Sequence, residues 1–400
     1  MENYLIIGGE GFVGRWIVNQ LIKRGEKNIT VFDVIQRYFD DDDKSEVKIK
    51  HVIGDLTNSQ DVEKAIKENG ITCVINTASP PHDGKNEEMF WKVNVQGTKN
   101  VIEACLANQV RKLVYTSSSS VIYDGVNELI NADETYPYPD KHMDVYNETK
   151  VLAEGERLVI AANGKNGLLT CCLRPCGIFG PYDRQAIPAL IKVMERGQTK
   201  FQIGDNTNLV DWTYVENIAY AHLLAADKLI EGNGVDGEVF IITNGTPIPF
   251  WDLPRMVWAQ FNHYPSYIIT LPKSFGIIIA SLAELTSYLT GSTPGFTRFR
   301  IKFSTNNRYF NISKAKERLG YEPLVDLEEE NDNANFRPKT LEESIVENVH
   351  SSASTTPNDS PKTLMSQQQE QRLIIPFVSP PPALSPVFST LSSSKLANKK

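Results

Sequence analysis

The stretch YLIIGGEGFVGRWIVNQLIKRG, residues 4–25, constrains the fold more than any other part of the chain. A short apolar run passes through a glycine-rich turn into a segment with apolar residues every three or four positions. That pattern predicts a buried strand, a tight turn and an amphipathic helix in succession. Gly8, Gly11 and Gly14 stand at G-x-x-G-x-x-G spacing. Gly8 allows the tight turn, Gly11 lets a pyrophosphate approach the backbone, and Gly14 lets the helix pack close to the strand. The helix N-terminus then offers N–H donors and a positive dipole end to phosphates. A glycine-rich turn without a ligand looks the same in isolation. The strand before it and the helix after it are what favour a dinucleotide.

The alternation continues. Apolar runs at YLII (4–7), ITVFD (29–33), VKIKHVIGD (47–55), CVINTA (73–78), KLVYTS (112–117) and LLTCCLR (168–174) read as strands. Between them, GFVGRWIVNQLIKRG, SQDVEKAIKENG and FWKVNVQGTKNVIEACLANQ read as helices. Repeated units of this kind predict an α/β fold, a Rossmann-type doubly wound parallel sheet over residues 1–175. Residues 176–330 are less regular, with helices expected near 186–196, 216–230 and 274–290 and strands near 201–203 and 239–243. They are expected to form a smaller mixed α/β substrate-binding region. After Glu330 the composition turns to Ser, Pro, Asn, Thr, Gln and Lys. Residues 331–400 are expected to be a disordered tail, since they carry too little apolar surface to offset the entropy of ordering. RLIIPFV within them is either a docking motif or part of a solvated tail.

Charge and cysteine usage exclude several classes. A net charge of -8 lacks the basic face that nucleic acid would need. Five cysteines without a CxxC pair (Cys73, Cys105, Cys171, Cys172 and Cys176) suit buried thiols in a reducing compartment, and neither a disulfide framework nor a metal site. The N-terminal residues run straight into a strand without a leader pattern, and no stretch reaches the ~18 uncharged apolar residues of a spanning helix. The bulk of the protein is therefore expected to face the cytosol. FGIIIASLA (275–283) is either a buried helix or a surface that dips into a membrane.

Ligands of such sheets bind at the C-terminal ends of the strands. Asp33 ends the second strand, where a carboxylate accepts from both adenosine ribose hydroxyls and repels a 2′-phosphate. This favours NAD over NADP, although Arg37 could tolerate the phosphate. Asp55 and Leu56 are placed to hold the adenine edge, and Ala78 and Ser79 to line the cofactor path. Singly each is an ordinary loop residue; their shared register carries the reading. The fifth strand ends in the hydroxyl run TSSSS, and YNETK follows, with Tyr146 and Lys150 four apart on one helix face. Alone that spacing is weak. With Ser118 it makes a Ser–Tyr–Lys set in which the serine orients a substrate oxygen and the tyrosine exchanges its proton. The lysine would lower the phenol's pKa and hold the nicotinamide ribose. His82 is left unassigned, and Asp211, Trp212 and Tyr214 are expected to brace the two regions.

Through GGEGFVG, VFD, GDL, NTAS, WKVNVQGT, YTSSSS and YNETK, in that order, the chain resembles the extended short-chain dehydrogenase/reductase family. RPCGIFGPYDR (174–184) and GDNTNLVDWTYVENIAYAHLLAA (204–226) narrow the resemblance to the 3β-hydroxysteroid dehydrogenase branch, over about residues 1–328. It implies Tyr146 as proton acceptor, Lys150 as cofactor and catalytic residue, and Ser118 as hydroxyl partner, with Ser119 one place away. It further implies NAD-dependent oxidation of a 4α-carboxysterol with loss of CO2, attachment to the cytosolic face of the endoplasmic reticulum or to lipid droplets, a homodimer, and contact with other enzymes of sterol C4 demethylation. Another hydroxysteroid, a nucleotide sugar, or a dinucleotide-binding regulator without turnover are the alternatives.

Overall fold

The computed structural model describes residues 2–36, 49–81, 84, 86–154, 158–290 and 296–326. Arg37, His82, the expected tail at 331–400 and RLIIPFV lie outside them. The chain divides into two units, Met1–Ser352 and Ala353–Lys400, and every described residue belongs to the first.

Seven parallel strands form the central sheet: β1 (Tyr4–Ile7), β2 (Ile29–Asp33), β3 (Lys50–Ile53), β4 (Cys73–Asn76), β5 (Lys112–Thr116), β6 (Leu169–Pro175) and β7 (Val239–Ile242). Their order is β7-β6-β5-β4-β1-β2-β3. Every residue of β1 and β4 is buried, as strands covered on both faces must be, which is why they read as continuous apolar runs. The strand order reverses between β1 and β4, and the crevice beyond their C-terminal ends is where this architecture takes a ligand.

Helices cover both faces. They are α1 (Phe12–Lys23), α2 (Ser59–Glu68), α3 (Glu87–Phe90 through a π-wound Trp91–Gly97 to Thr98–Ala107) and α4 (Val145–Glu154). Gly14, Ile17, Val18 and Leu21 make the buried stripe of α1. Asn58 caps α2 by accepting from the Gln60 N–H. The π-wound turn of α3 sets Gly97 against Leu56, where a Cβ would lie 2.2 Å from Leu56 Cδ1.

Beyond residue 175 come α5 (Ala186–Glu195), α6 (Val215–Lys228), α7 (Asp252–Gln260), α8 (Lys273–Thr290) and α9 (Arg298–Thr305). A second sheet runs Ile248–Pro249, Leu209–Val210, Arg308–Phe310, Leu129–Ala132. The chain does not part cleanly at 175. Val239–Ile242, assigned from sequence to the smaller region, pairs in parallel with Cys172–Pro175 as an edge of the central sheet. On α8, Gly276 packs toward Ile301 and Ala280 is buried, while Phe275, Ile278, Leu282, Leu285 and Leu289 are exposed. FGIIIASLA is thus not a fully buried helix: one face of α8 packs toward Ile301 and the other is apolar and exposed among the described residues.

Candidate active site

The loops after β1, β2, β4, β5 and β6 meet at the sheet's C-terminal edge. Gly8 has φ +76°, and a Cβ there would lie 2.9 Å from the Ala78 backbone, so the first turn and the loop after β4 touch directly. At Gly14 a Cβ would stand 2.2 Å from the Gly8 carbonyl oxygen, and α1 starts this close to the turn only because residue 14 is glycine. No side chain caps the N-terminus of α1 and no acidic residue lies in its first turn. An uncapped helix end over a turn of three glycines, whose one side chain, Glu10, is buried 3.4 Å from His51 Nδ1, fits a pyrophosphate.

Asp33 lies beside this turn at the end of β2. Its carboxylate accepts from the Glu10 N–H at 3.1 Å and from the Val34 N–H at 2.8 Å. Burial pushes its pKa above the ordinary range, and these bonds oppose the shift. The Ile35 N–H also points to this carboxylate, so three backbone donors meet its roughly four acceptor positions and leave about one for a ribose hydroxyl. Asp55 is exposed and closes a turn by accepting from the Thr57 N–H at 2.8 Å. Leu56 is buried, and its carbonyl accepts from Asn100 at 3.0 Å. A group at the adenine edge would thus meet the Asp55 turn, with Leu56 as its apolar anchor.

Tyr146 and Lys150 share α4, as their spacing predicts. The Ser118 hydroxyl hydrogen-bonds the Tyr146 phenol, while Ser119 is buried and bonds toward Cys176. Ser118 is therefore the hydroxyl beside the phenol. It caps the short turn Ser119–Ile122 and shares a 2.7 Å hydrogen bond with Ser120, whose hydroxyl donates to Asn147 on α4 at 2.5 Å. Phe90 meets the phenol ring edge-on at 5.8 Å.

Lys150 behaves differently from the sequence expectation. Its ammonium donates to the Thr116 carbonyl at 2.8 Å and to the Tyr115 hydroxyl at 3.4 Å. Burial pushes its pKa down to about 8, and the Glu154 carboxylate opposes that. Burial pushes the Tyr146 phenol up to about 12; the Ser118 hydrogen bond pulls it down and Asp144 adds to the rise. The expected lowering of the phenol by Lys150 is not provided by this geometry, because two of the ammonium's three N–H donors go to the end of β5, which leaves one for a ligand hydroxyl.

Several residues that hold this group escaped sequence reasoning. Asn94, buried in the π-wound turn, donates to Thr149 at 3.0 Å and accepts from Ser79 at 3.1 Å, tying α4 to the loop after β4. π-turns inside helices recur at functional sites, but their winding leaves no sequence period. His222 on α6 is buried, with Nδ1 2.7 Å from the Ile218 carbonyl and Nε2 2.7 Å from the Thr116 hydroxyl. A carbonyl only accepts, so Nδ1 carries the proton and Nε2 accepts from Thr116. Burial pushes His222 down to about 4, which keeps it neutral, and so the residue whose carbonyl holds Lys150 is itself held. Past Lys150, the buried Glu154 pairs with Arg174 of β6 at 2.5 Å, and the Tyr138 hydroxyl donates to the same carboxylate oxygen at 2.7 Å. Asp211 Oδ2 accepts from the Phe310 N–H at 2.7 Å and the Tyr214 N–H donates to Asn244 at 2.9 Å; both bonds lie within residues 176–330, so they tie that region together and not to the first 175 residues. The five cysteines are free and buried.

A glycine turn under an uncapped helix, with a serine, a tyrosine and a lysine gathered at the end of β5, defines the short-chain dehydrogenase/reductase class. The fold is shared with a crystal structure of a Thermus thermophilus UDP-glucose 4-epimerase in complex with NAD. The match has TM-score 0.62 and 20% identity, and covers 86% of this chain and 98% of that one. Residues 5–273 match the model of the 3-beta hydroxysteroid dehydrogenase/isomerase family. The chain is 46% identical over 336 residues to a sterol-4-alpha-carboxylate 3-dehydrogenase, decarboxylating, of Schizosaccharomyces pombe, covering 82% of this chain and 95% of that protein. It is also 46% identical over 342 residues to the protein of that description from Saccharomyces cerevisiae, with the same two coverages, 82% and 95%. The chain belongs to the 3-beta hydroxysteroid dehydrogenase/isomerase family.

Proposed function

We propose that this protein oxidises the 3β-hydroxyl of a 4α-carboxysterol with NAD, and that the resulting ketone sheds the C4 carboxylate as CO2. The observation that carries the reading is the Ser118–Tyr146 hydrogen bond beside Lys150, in a chain 46% identical over 336 residues to a relative of that description. Bound NAD supplies the acceptor for the C3 hydride. Tyr146, as phenolate, takes the hydroxyl proton while Ser118 holds the oxygen, and the positive nicotinamide ring would lower the phenol from the value burial gives it. Gly8, Gly11, Gly14 and the N-terminus of α1 receive the pyrophosphate, and Asp33 the adenosine ribose, which favours NAD over NADP. Asp55, Leu56 and Ala78 line the path between them, and Lys150 holds the nicotinamide ribose.

Loss of CO2 needs no further catalytic group. In the β-keto acid the C4–carboxylate bonding pair moves into the C3 carbonyl, CO2 departs, and the enolate takes a proton at C4. The product is a 3-ketosterol one carbon shorter.

The same reading places the protein on the cytosolic face of the endoplasmic reticulum membrane or on lipid droplets, through the uncovered face of α8. No helix among the described residues is long and apolar enough to cross a membrane, so this attachment is peripheral. A homodimer, and contact with other enzymes of C4 demethylation, rest on the family resemblance.

The test is to incubate purified protein and NAD⁺ with a 4α-carboxysterol or with UDP-glucose, following NADH and CO2. One NADH and one CO2 per carboxysterol are expected. Turnover of UDP-glucose instead would replace this reading with a nucleotide-sugar activity, the chemistry of the epimerase that shares the fold.

A further inference from the structure

Among the described residues, Arg308 is a cation to which no carboxylate is paired. It opens the strand Arg308–Phe310 and is half-buried. Its Nη2 donates to the Phe303 carbonyl at 3.0 Å, and its guanidinium stacks 3.6 Å from the centroid of the Phe303 ring. Its Nε is buried and finds no acceptor among the described residues. Asp211, whose N–H donates to the Arg308 carbonyl at 3.0 Å, turns its carboxyl to the Phe310 N–H, and Glu128 accepts from Asn307. A guanidinium taken out of water without a counter-ion is costly, so a protein rarely leaves one unless something else supplies the anion.

The surroundings suggest what that is. The guanidinium lies 5.7 Å from the ring centroid of Tyr123, which closes the short turn begun by Ser118. Its field also reaches the thiol of Cys176, toward which Ser119 bonds. Arg308 thus lies by the turn that Ser118 begins and by Cys176, the residue after β6. Phe303, stacked on the guanidinium, continues into an aromatic cluster, 5.6 Å from Phe299 and 6.2 Å from Phe250, with Phe250 6.3 Å from Trp212. A cation without a carboxylate partner, between the turn that Ser118 begins and this cluster, matches a ligand with a large apolar body and one anionic group.

We propose that Arg308 receives the carboxylate of the substrate and so selects the acid over its uncharged analogues. This rests on the proposed reaction and adds the residue that reads the leaving group before it leaves. Guanidinium and carboxylate match as a planar, two-pronged pair, and a lysine ammonium reproduces the charge without that geometry.

The experiment compares the 4α-carboxy-3β-hydroxysterol with the matching 4α-methyl-3β-hydroxysterol. Each is measured with NAD⁺ as a substrate, or as a competitive inhibitor where it is not turned over. In Arg308→Met the apparent affinity or kcat/KM for the acid should fall about 10- to 100-fold more than for the methyl sterol. Arg308→Lys should restore part of the difference. NAD⁺ affinity reports whether each variant is folded; if Arg308→Met is not, Arg308→Gln, which keeps a donor for the Phe303 carbonyl, enters the same comparison. Equal losses on both sterols would make Arg308 a structural residue and overturn the proposal, as would no loss on either. A wild-type protein that turns over UDP-glucose and no carboxysterol would remove the reaction itself, and this role with it.

Discussion

Tyr146 and Asp211 carry the sharpest consequences of single side chains. Tyr146→Phe removes one hydroxyl and keeps the ring against Phe90, so turnover should fall by a factor on the order of 10² to 10⁴. NAD⁺ affinity, measured by equilibrium titration, should barely move, because the phenol meets the substrate. Full activity in this variant would end the proton-transfer role. Asp211 is buried, and burial pushes its carboxyl up to about 7 from an ordinary 3.8 against the opposing hydrogen bonds of the Phe310 N–H and the Thr243 side chain. The folded state therefore holds this proton through a pH range in which the unfolded chain has released it. The stability contributed by Asp211 is present below pH ~4 and is lost as the pH rises toward 7. Asp211→Asn should match the wild type at pH ~4 and exceed it in denaturant midpoint at pH ~8; a constant difference across that range would show that the carboxyl does not titrate. The grouping of Ser118 with Tyr146 and Lys150 was legible because spacing on one helix and one turn displays it. His222, Asn94 and Arg308 were not, because their meaning lies in partners far along the chain: Thr116 and His222 meet across 106 residues. The partner of Lys150 was misread for a related reason. An i,i+4 spacing says which side chains share a face but not which carbonyl from another element competes for the ammonium.

At the scale of elements, α1 and α8 depend on what is absent from their surfaces. α1 approaches the first turn through Gly14, and Gly14→Ala puts a methyl 2.2 Å from the Gly8 carbonyl, with backbone that cannot swing away. The expected cost is about 1–3 kcal/mol in urea unfolding, accompanied by weaker NAD⁺ binding as the helix end is pushed off the pyrophosphate position. An alanine variant with unchanged midpoint and affinity would show that the turn relaxes. On α8, Ile278 and Leu282 are 57% and 59% exposed, so Ile278→Glu with Leu282→Glu should leave the unfolding midpoint in place. The same pair should cut binding to phospholipid vesicles at least tenfold, since each apolar side chain withdrawn from lipid forfeits about 1.5–3 kcal/mol. Undiminished sedimentation with vesicles would clear α8 of that role. The strands of the central sheet were readable because burial on both faces writes them as apolar runs. Pairs such as Ile178–Phe179 with Thr213–Tyr214 were not, since two residues carry no period and exist only through a distant partner.

For the whole molecule, the aligned 82% of this chain already spans 95% of the Schizosaccharomyces pombe relative, so the family's machinery needs little from the remainder. A protein ending at residue 330 should keep NAD⁺ affinity and melting temperature within experimental scatter of the full chain, given the polar composition of 331–400. A large drop in melting temperature would show that the removed residues pack on the rest. Completion of the central sheet sets a different limit. β6 is paired on one side by β5 and on the other by Val239–Ile242, which is synthesised more than sixty residues later. While the ribosome is still making the intervening chain, a nascent sheet would present β6 as a naked, apolar, hydrogen-bonding margin, the kind that recruits strands from neighbouring polypeptides. Messages truncated within this interval, or translation that stalls there, would therefore yield sticky fragments in place of a small working nucleotide-binding module.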